Sequence, residues 1–82
     1  MSSAESVKHR IERLAEDPDM PEDVAEKVEK AASQLSGDDK NLSVRANSAA
    51  ATLQEVGNDP NVSQHVRTEV WNLASNVESL GE

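Results

Sequence analysis

Asp17-Pro18-Asp19-Met20 and Asp59-Pro60-Asn61-Val62 are one phrase written twice, and the distance between the copies decides the fold. Asp59 follows Asp17 by 42 residues, and other positions match at that offset without a gap. Ile11 meets Leu53, Leu14 meets Val56, Val24 meets Val66, and Val28 meets Val70. Ala32 and Ser33 meet Ala74 and Ser75. The helix-start patterns Asp19-x-x-Glu22 and Asn61-x-x-Gln64 also correspond, each an acceptor followed by a side chain that reaches back. A period of roughly 40–47 residues with two helices per unit is that of HEAT and armadillo repeats, yet a solenoid needs about three units or more. The expectation is an all-α chain, residues 1–82 forming a single domain. Its four helices form two tandem HEAT-like hairpins, about 3–36 and 43–80, stacked into a compact bundle. The short Asp-Pro turns make the helices of each hairpin antiparallel neighbours.

Outward from these turns, Pro and Gly divide the chain into segments with a helical period. The first runs from about Ser3 to Asp17, with Ala4, Val7, Ile11, Leu14 and Ala15 on one stripe and Ser2 and Glu5 as a capping box. Pro18 stops it, having no N–H and a ring that clashes with the preceding turn. The second runs from about Met20 to Ser36. Pro21 suits its first turn, Glu22 and Asp23 suit its dipole, and Val24, Val28, Ala31, Ala32 and Leu35 form its stripe. Gly37 is placed to end it in the left-handed conformation, and 37–41 read as a loop. The third, from Leu42 or Ser43 to Val56, carries Ala46, Ala49, Ala50, Leu53 and Val56, small enough for close approach. The fourth, from about Val62 to Leu80, carries Val66, Val70, Leu73, Val77 and Leu80.

Composition excludes several functions. There is no cysteine, hence no disulfide framework or thiolate metal site, and a reducing cytoplasm is the expected location. No apolar run approaches the roughly 18 residues that cross a membrane, and the first residues do not resemble a secretory signal. Sixteen Asp and Glu against eight Lys and Arg give a net charge of -8. The acids are spread through periodic segments, which argues against a disordered acidic tail. With only four Lys and many small residues, the balance reads as adaptation to high salt, which screens self-repulsion.

The second half also resembles a known family. Val44-Arg45, Leu53-Gln54-Glu55-Val56, Asn58-Asp59-Pro60-Asn61, His65-x-Arg67-Thr68, Trp71-Asn72 and Val77-Glu78 are similar to small archaeal proteins of uncharacterised protein family number 147. Asp17-x-x-Met20-Pro21 extends the likeness into the first half, so that it covers about residues 10–80. The resemblance implies a small, helical, cytosolic archaeal protein without an assigned function; the acidity points to a haloarchaeal member. Glu22-Asp23 stand after Pro21 where the family more often has an Arg, which draws attention to the second repeat.

The candidate interaction face is Arg45, His65, Arg67, Thr68 and Trp71. Arg67 and Trp71 lie at i, i+4, about 100° from the core stripe of their helix. One reading makes them interface anchors; the other packs Trp71 at the core edge beneath the guanidinium. Arg45 and Arg67 both stand near helix N-termini, where the dipole disfavours cations, which calls for a local acid such as Asp59 or Glu69, or for a bound anion. His65 has Asp59 and Glu69 as candidate acid partners, but no nucleophile or oxyanion donor can be read beside it. His65-x-x-x-Glu69 supplies too few ligands for zinc. Asp17-Pro18-Asp19 lacks the further ligands and the Gly of a calcium loop, and turn chemistry accounts for it.

No catalytic residue, metal site, cofactor motif or small-molecule substrate follows from these residues. The expected function is a non-enzymatic protein-protein interaction module, binding a partner or itself. The alternative is association with RNA or a ribosome through an Arg/His island, against which the net charge and the lack of a basic patch stand.

Overall fold

The computed structural model describes residues 3–37 and 41–81. Each periodic segment forms a helix: α1 Ser3–Ala15, α2 Glu22–Leu35, α3 Leu42–Gly57 and α4 Gln64–Leu80. Among the described residues there is no strand. The expected stripes form the core. Ile11, Leu35, Leu53, Leu73 and six valines are almost completely removed from water, each worth roughly 1.5–3 kcal/mol of transfer free energy. Ala4, Ala15 and Leu80 are only half-buried, at the margins of the core. The buried face of α3 is led by Ala46, Ala49 and Ala50, which brings its neighbours close.

Each helix packs on two others. α1 touches α2 and α4, α3 touches α2 and α4, and the diagonal pairs do not meet. The result is a closed, antiparallel four-helix bundle. Its radius of gyration of 11.6 Å equals that of a fully compact chain of this length, about 12 Å. Topology places both Asp-Pro turns at one end, beside the N-termini of α2 and α4. The α3 N-terminus lies at the opposite end, where Gly81 stands against Ser43 and Ala46.

The 42-residue offset reappears in hydrogen bonds. Asp17 Oδ1 accepts from the Asp19 N–H, and Asp59 Oδ1 from the Asn61 N–H, both at 2.8 Å. The Met20 and Val62 N–H groups donate to the Asp17 and Asp59 carbonyls at 3.0 and 3.2 Å. The Ala25 and Arg67 N–H groups donate to the Pro21 and Ser63 carbonyls at 2.8 and 2.9 Å.

Several boundaries differ from expectation. α1 stops at Ala15 rather than Asp17, and α2 and α4 begin at Glu22 and Gln64 rather than Met20 and Val62. Met20 and Val62 are buried nonetheless: each drops into the core from the turn, so the helix starts only after it. The N-caps are therefore Pro21 and Ser63, neither with a side-chain cap bond, and not Asp19 and Asn61. Gly37 does not take a positive φ; α2 ends on Ser36 at φ -95°. Asn41 caps α3, its Oδ1 accepting from the Val44 N–H at 3.0 Å. The capping role of Ser2 and loop positions 38–40 lie outside the described residues.

Candidate functional site

The first Asp-Pro turn is closed by a residue from the other hairpin. His65 Nε2 lies 3.3 Å from Asp17 Oδ2 and 3.6 Å from Asp19 Oδ2. On the other side of the ring, Nδ1 lies 3.3 Å from Ser63 Oγ. Asp17 is oriented by its own turn: Oδ1 accepts the Asp19 N–H, which leaves Oδ2 for His65. That backbone bond holds the Asp17 carboxyl below its usual range. Desolvation opposes the shift, and the contact with His65 reinforces it. The acids beside His65 are thus Asp17 and Asp19, not Asp59 or Glu69. Glu69 instead pairs with Arg10 of α1 at 3.4 Å.

Ser63, His65 and Asp17 are the residue types of a nucleophilic relay. The geometry does not make one. Both contacts are 3.3 Å, the His65 side chain is 58% exposed, and nothing walls the site against water, where oriented donors lose most of their effect.

The second Asp-Pro turn is capped from within its own hairpin. Arg67, one turn into α4, donates from Nη2 to the carbonyls of Asp59 and Val62 at 3.1 and 3.2 Å. The cation near a helix N-terminus thereby finds two backbone acceptors in place of the expected carboxylate. Its Nε is buried without a hydrogen-bond partner.

Trp71 lies one turn further along α4 and remains 40% exposed. Its ring rests on Gly57: a Cβ there would come within 2.7 Å of Trp71 Cε2. Gly57 is buried and helical with φ negative, so its role is space rather than backbone freedom. Thr68, also exposed, donates from its hydroxyl to the Gln64 carbonyl at 3.1 Å. Arg45 does not join these residues. It opens α3 at the far end of the bundle, where Nη1 donates to the Leu35 carbonyl at 2.9 Å. Of the five residues expected to share a face, Arg67, Thr68 and Trp71 lie within about one turn of one another on α4, while His65 turns to the first Asp-Pro turn and Arg45 stands at the far end. Sequence reading missed Asp17, Asp19 and Ser63 as neighbours of His65.

Other surface features offer less. The groove between α1 and α2 alternates Lys8 and Arg13 with Glu12, Glu16 and Glu29, so no one charge converges on it. The buried Thr52 hydroxyl is placed for the Gln34 Oε1 at 2.7 Å and ties α2 to α3. No helix among the described residues is long and apolar enough to cross a membrane.

Comparison with known proteins places the chain in context. The model of a family described as "Uncharacterised protein family (UPF0147)" matches residues 2–80. A UPF0147 protein of Methanothermobacter thermautotrophicus is 33% identical over 72 residues, covering 88% of this chain and 71% of the relative. One from Archaeoglobus fulgidus is 33% identical over 76 residues, covering 93% and 86%. One from Thermoplasma volcanium is 29% identical over 76 residues, covering 93% and 85%. No solved structure matches.

Proposed function

The chain belongs to the uncharacterised protein family UPF0147, and on that premise we propose that it is a non-enzymatic module that docks on a protein partner through the α4 face around Trp71. The observation that carries this reading is the seating of the indole. Trp71 is the one aromatic residue of the chain, and it lies exposed on a helix rather than in the core. Contact with Gly57 orders its ring, so little side-chain entropy is left to lose on binding. Tryptophan is among the residues enriched as interface anchors. Thr68 adds a polar group one turn away, and Arg67 braces the turn beneath.

The ribonucleoprotein reading draws less support. Arg45 and Arg67 stand at opposite ends of the bundle, each donating to a backbone carbonyl, and so form no common basic island.

The test is affinity capture at the salt of the native cytoplasm, comparing the wild type with Trp71→Ala, with circular dichroism to check folding. A partner held by the wild type and lost with the variant supports the docking face. Adding that partner back to the wild type must also blue-shift the Trp71 emission. An unchanged set of captured proteins overturns the proposal. A second copy of the chain as the partner appears as a concentration-dependent sedimentation coefficient that Trp71→Ala abolishes.

A further inference from the structure

We propose that Asp17, Asp19 and His65 form a binding site for a divalent first-row transition metal, of which Zn2+ is the probe ion. The site joins the two hairpins: two ligands come from the turn between α1 and α2, and the third from the start of α4, 48 residues away.

Three observations point the same way. The first is the donor set. One imidazole nitrogen and two carboxylate oxygens, all within 4.8 Å of one another, suit Zn2+ and its neighbours rather than the all-oxygen shells of Ca2+ and Mg2+.

The second is spacing. A charge-assisted N–H···O bond from imidazolium to carboxylate draws in to about 2.7–2.9 Å. Here Nε2 stands 3.3 and 3.6 Å from the two oxygens. Two ligand atoms sharing a tetrahedral metal with bonds of about 2.1 Å are about 3.4 Å apart. The observed spacings bracket that value, so a metal enters with small side-chain rotations. Asp19, 63% exposed, is free to make the larger one.

The third is orientation around the ligands. A metal-binding imidazole usually hands its other N–H to an acceptor, which fixes the tautomer and the ring plane. Ser63 Oγ, 3.3 Å from Nδ1, is such an acceptor. In the tautomer with Nδ1 protonated, Nε2 presents its lone pair to the two carboxylate oxygens, and three acceptors converge on one point that a metal ion can occupy. Asp17 is oriented in the same manner, its Oδ1 held by the Asp19 N–H while Oδ2 faces the site.

The other ligand positions face solvent, so water completes the shell. The second turn does not repeat the site: Asn61 stands where the first turn has Asp19, and Asp23 where α4 has His65.

The experiment is calorimetric titration of the full chain with Zn2+, in excess Mg2+ so that diffuse attraction to the acidic surface is already satisfied. Wild type is expected to bind one saturable equivalent. His65→Asn and Asp19→Asn weaken binding by at least about 10-fold, and Ser63→Ala by about 10-fold through the outer shell. His9→Gln leaves it unchanged, because His9 lies apart on α1 beside Glu12. Nitrogen-15 spectra of the histidines show Zn2+ shifting His65 Nε2 while Nδ1 keeps its proton. Of the four exchanged positions, His9, Asp19 and His65 are exposed and Ser63 is half-buried, and circular dichroism verifies that the variants fold. Absence of saturable binding, or equal affinity in wild type and His65→Asn, overturns the proposal and leaves only an imidazole–carboxylate ion pair.

Discussion

The two Asp-Pro turns have the same backbone and opposite surroundings. Their hydrogen bonds coincide position by position, from the Asx bonds of Asp17 and Asp59 to the buried Met20 and Val62. Above that shared backbone the side chains diverge. The second turn is held by a cation of its own hairpin, Arg67, on two carbonyls. Its counterpart in the first hairpin is Ala25, and among the described residues no side chain donates to the first turn's carbonyls in that way. What faces the first turn is His65, from the other hairpin, aimed at carboxylates and not at carbonyls. One turn is finished locally; the other is finished by tertiary packing, and its polar groups stay turned toward solvent. Repetition of a backbone thus preserves the core while the side chains above it are free to specialise.

Removal of Arg67 breaks the contrast most severely. Arg67→Ala strips two carbonyls of a charged donor and exposes the turn, a cost of about 2 kcal/mol, which lowers the midpoint of thermal unfolding by roughly 10 °C for a chain of this size. Arg67→Met keeps the packed stem and removes the unpartnered Nε, so its loss is expected to be about half as large. Equal losses show that the carbonyl bonds, not the packed stem, secure the second turn. Thermal unfolding of both variants decides.

Next in size is the pair Gly57 and Trp71, whose counterparts in the first hairpin are Ala15 and Glu29. Gly57→Ala gains helix propensity but drives a methyl into the indole, for a net loss of about 1 kcal/mol. In a Trp71→Ala background the clash is gone, and the same exchange stabilises by about 0.5–1 kcal/mol. That reversal of sign in denaturant titrations establishes the coupling. A Gly57→Ala effect that is the same in both backgrounds shows that Trp71 does not rest on its glycine in solution.

These contrasts also separate what the sequence discloses from what it hides. The stripes are legible because burial follows helical period: the expected residues of α2 and α3 are all buried. The closed bundle follows from two hairpins too few to stack as a solenoid. The helix starts differ from the sequence pattern for a physical reason. Asp19-x-x-Glu22 has the form of a capping box, but the burial of Met20 from the turn moves the first helical residue to Glu22, and Asp17 becomes the side-chain acceptor instead. Gly57 reads as punctuation, whereas its use is to leave room for an indole 14 residues on. The meeting of His65 with Asp17 and Asp19 has no local signal, since it depends on how one hairpin is laid against the other. The separation of Arg45 from Arg67 has the same origin: each begins a helix, but those helices begin at opposite ends of the bundle.

The smallest effect tests the first turn alone, through acid. The Asp17 carboxyl is held below its ordinary range, chiefly by the Asp19 N–H and further by His65. The unfolded chain therefore binds a proton there more readily than the native one. Its contribution to stability is present above the ordinary Asp pKa of about 3.9 and is lost as pH falls through the lower native value. Asp17→Asn is expected to flatten the acid limb of the stability curve, measured by urea denaturation at successive pH values, by lowering stability above the ordinary Asp pKa while leaving the most acid end nearly unchanged. His65→Asn removes only the lesser cause and flattens it less. If His65→Asn flattens the limb as much as Asp17→Asn, the inter-hairpin contact rather than the turn's own backbone governs that carboxylate. The first turn is then finished by its partner hairpin in its electrostatics as well as its geometry.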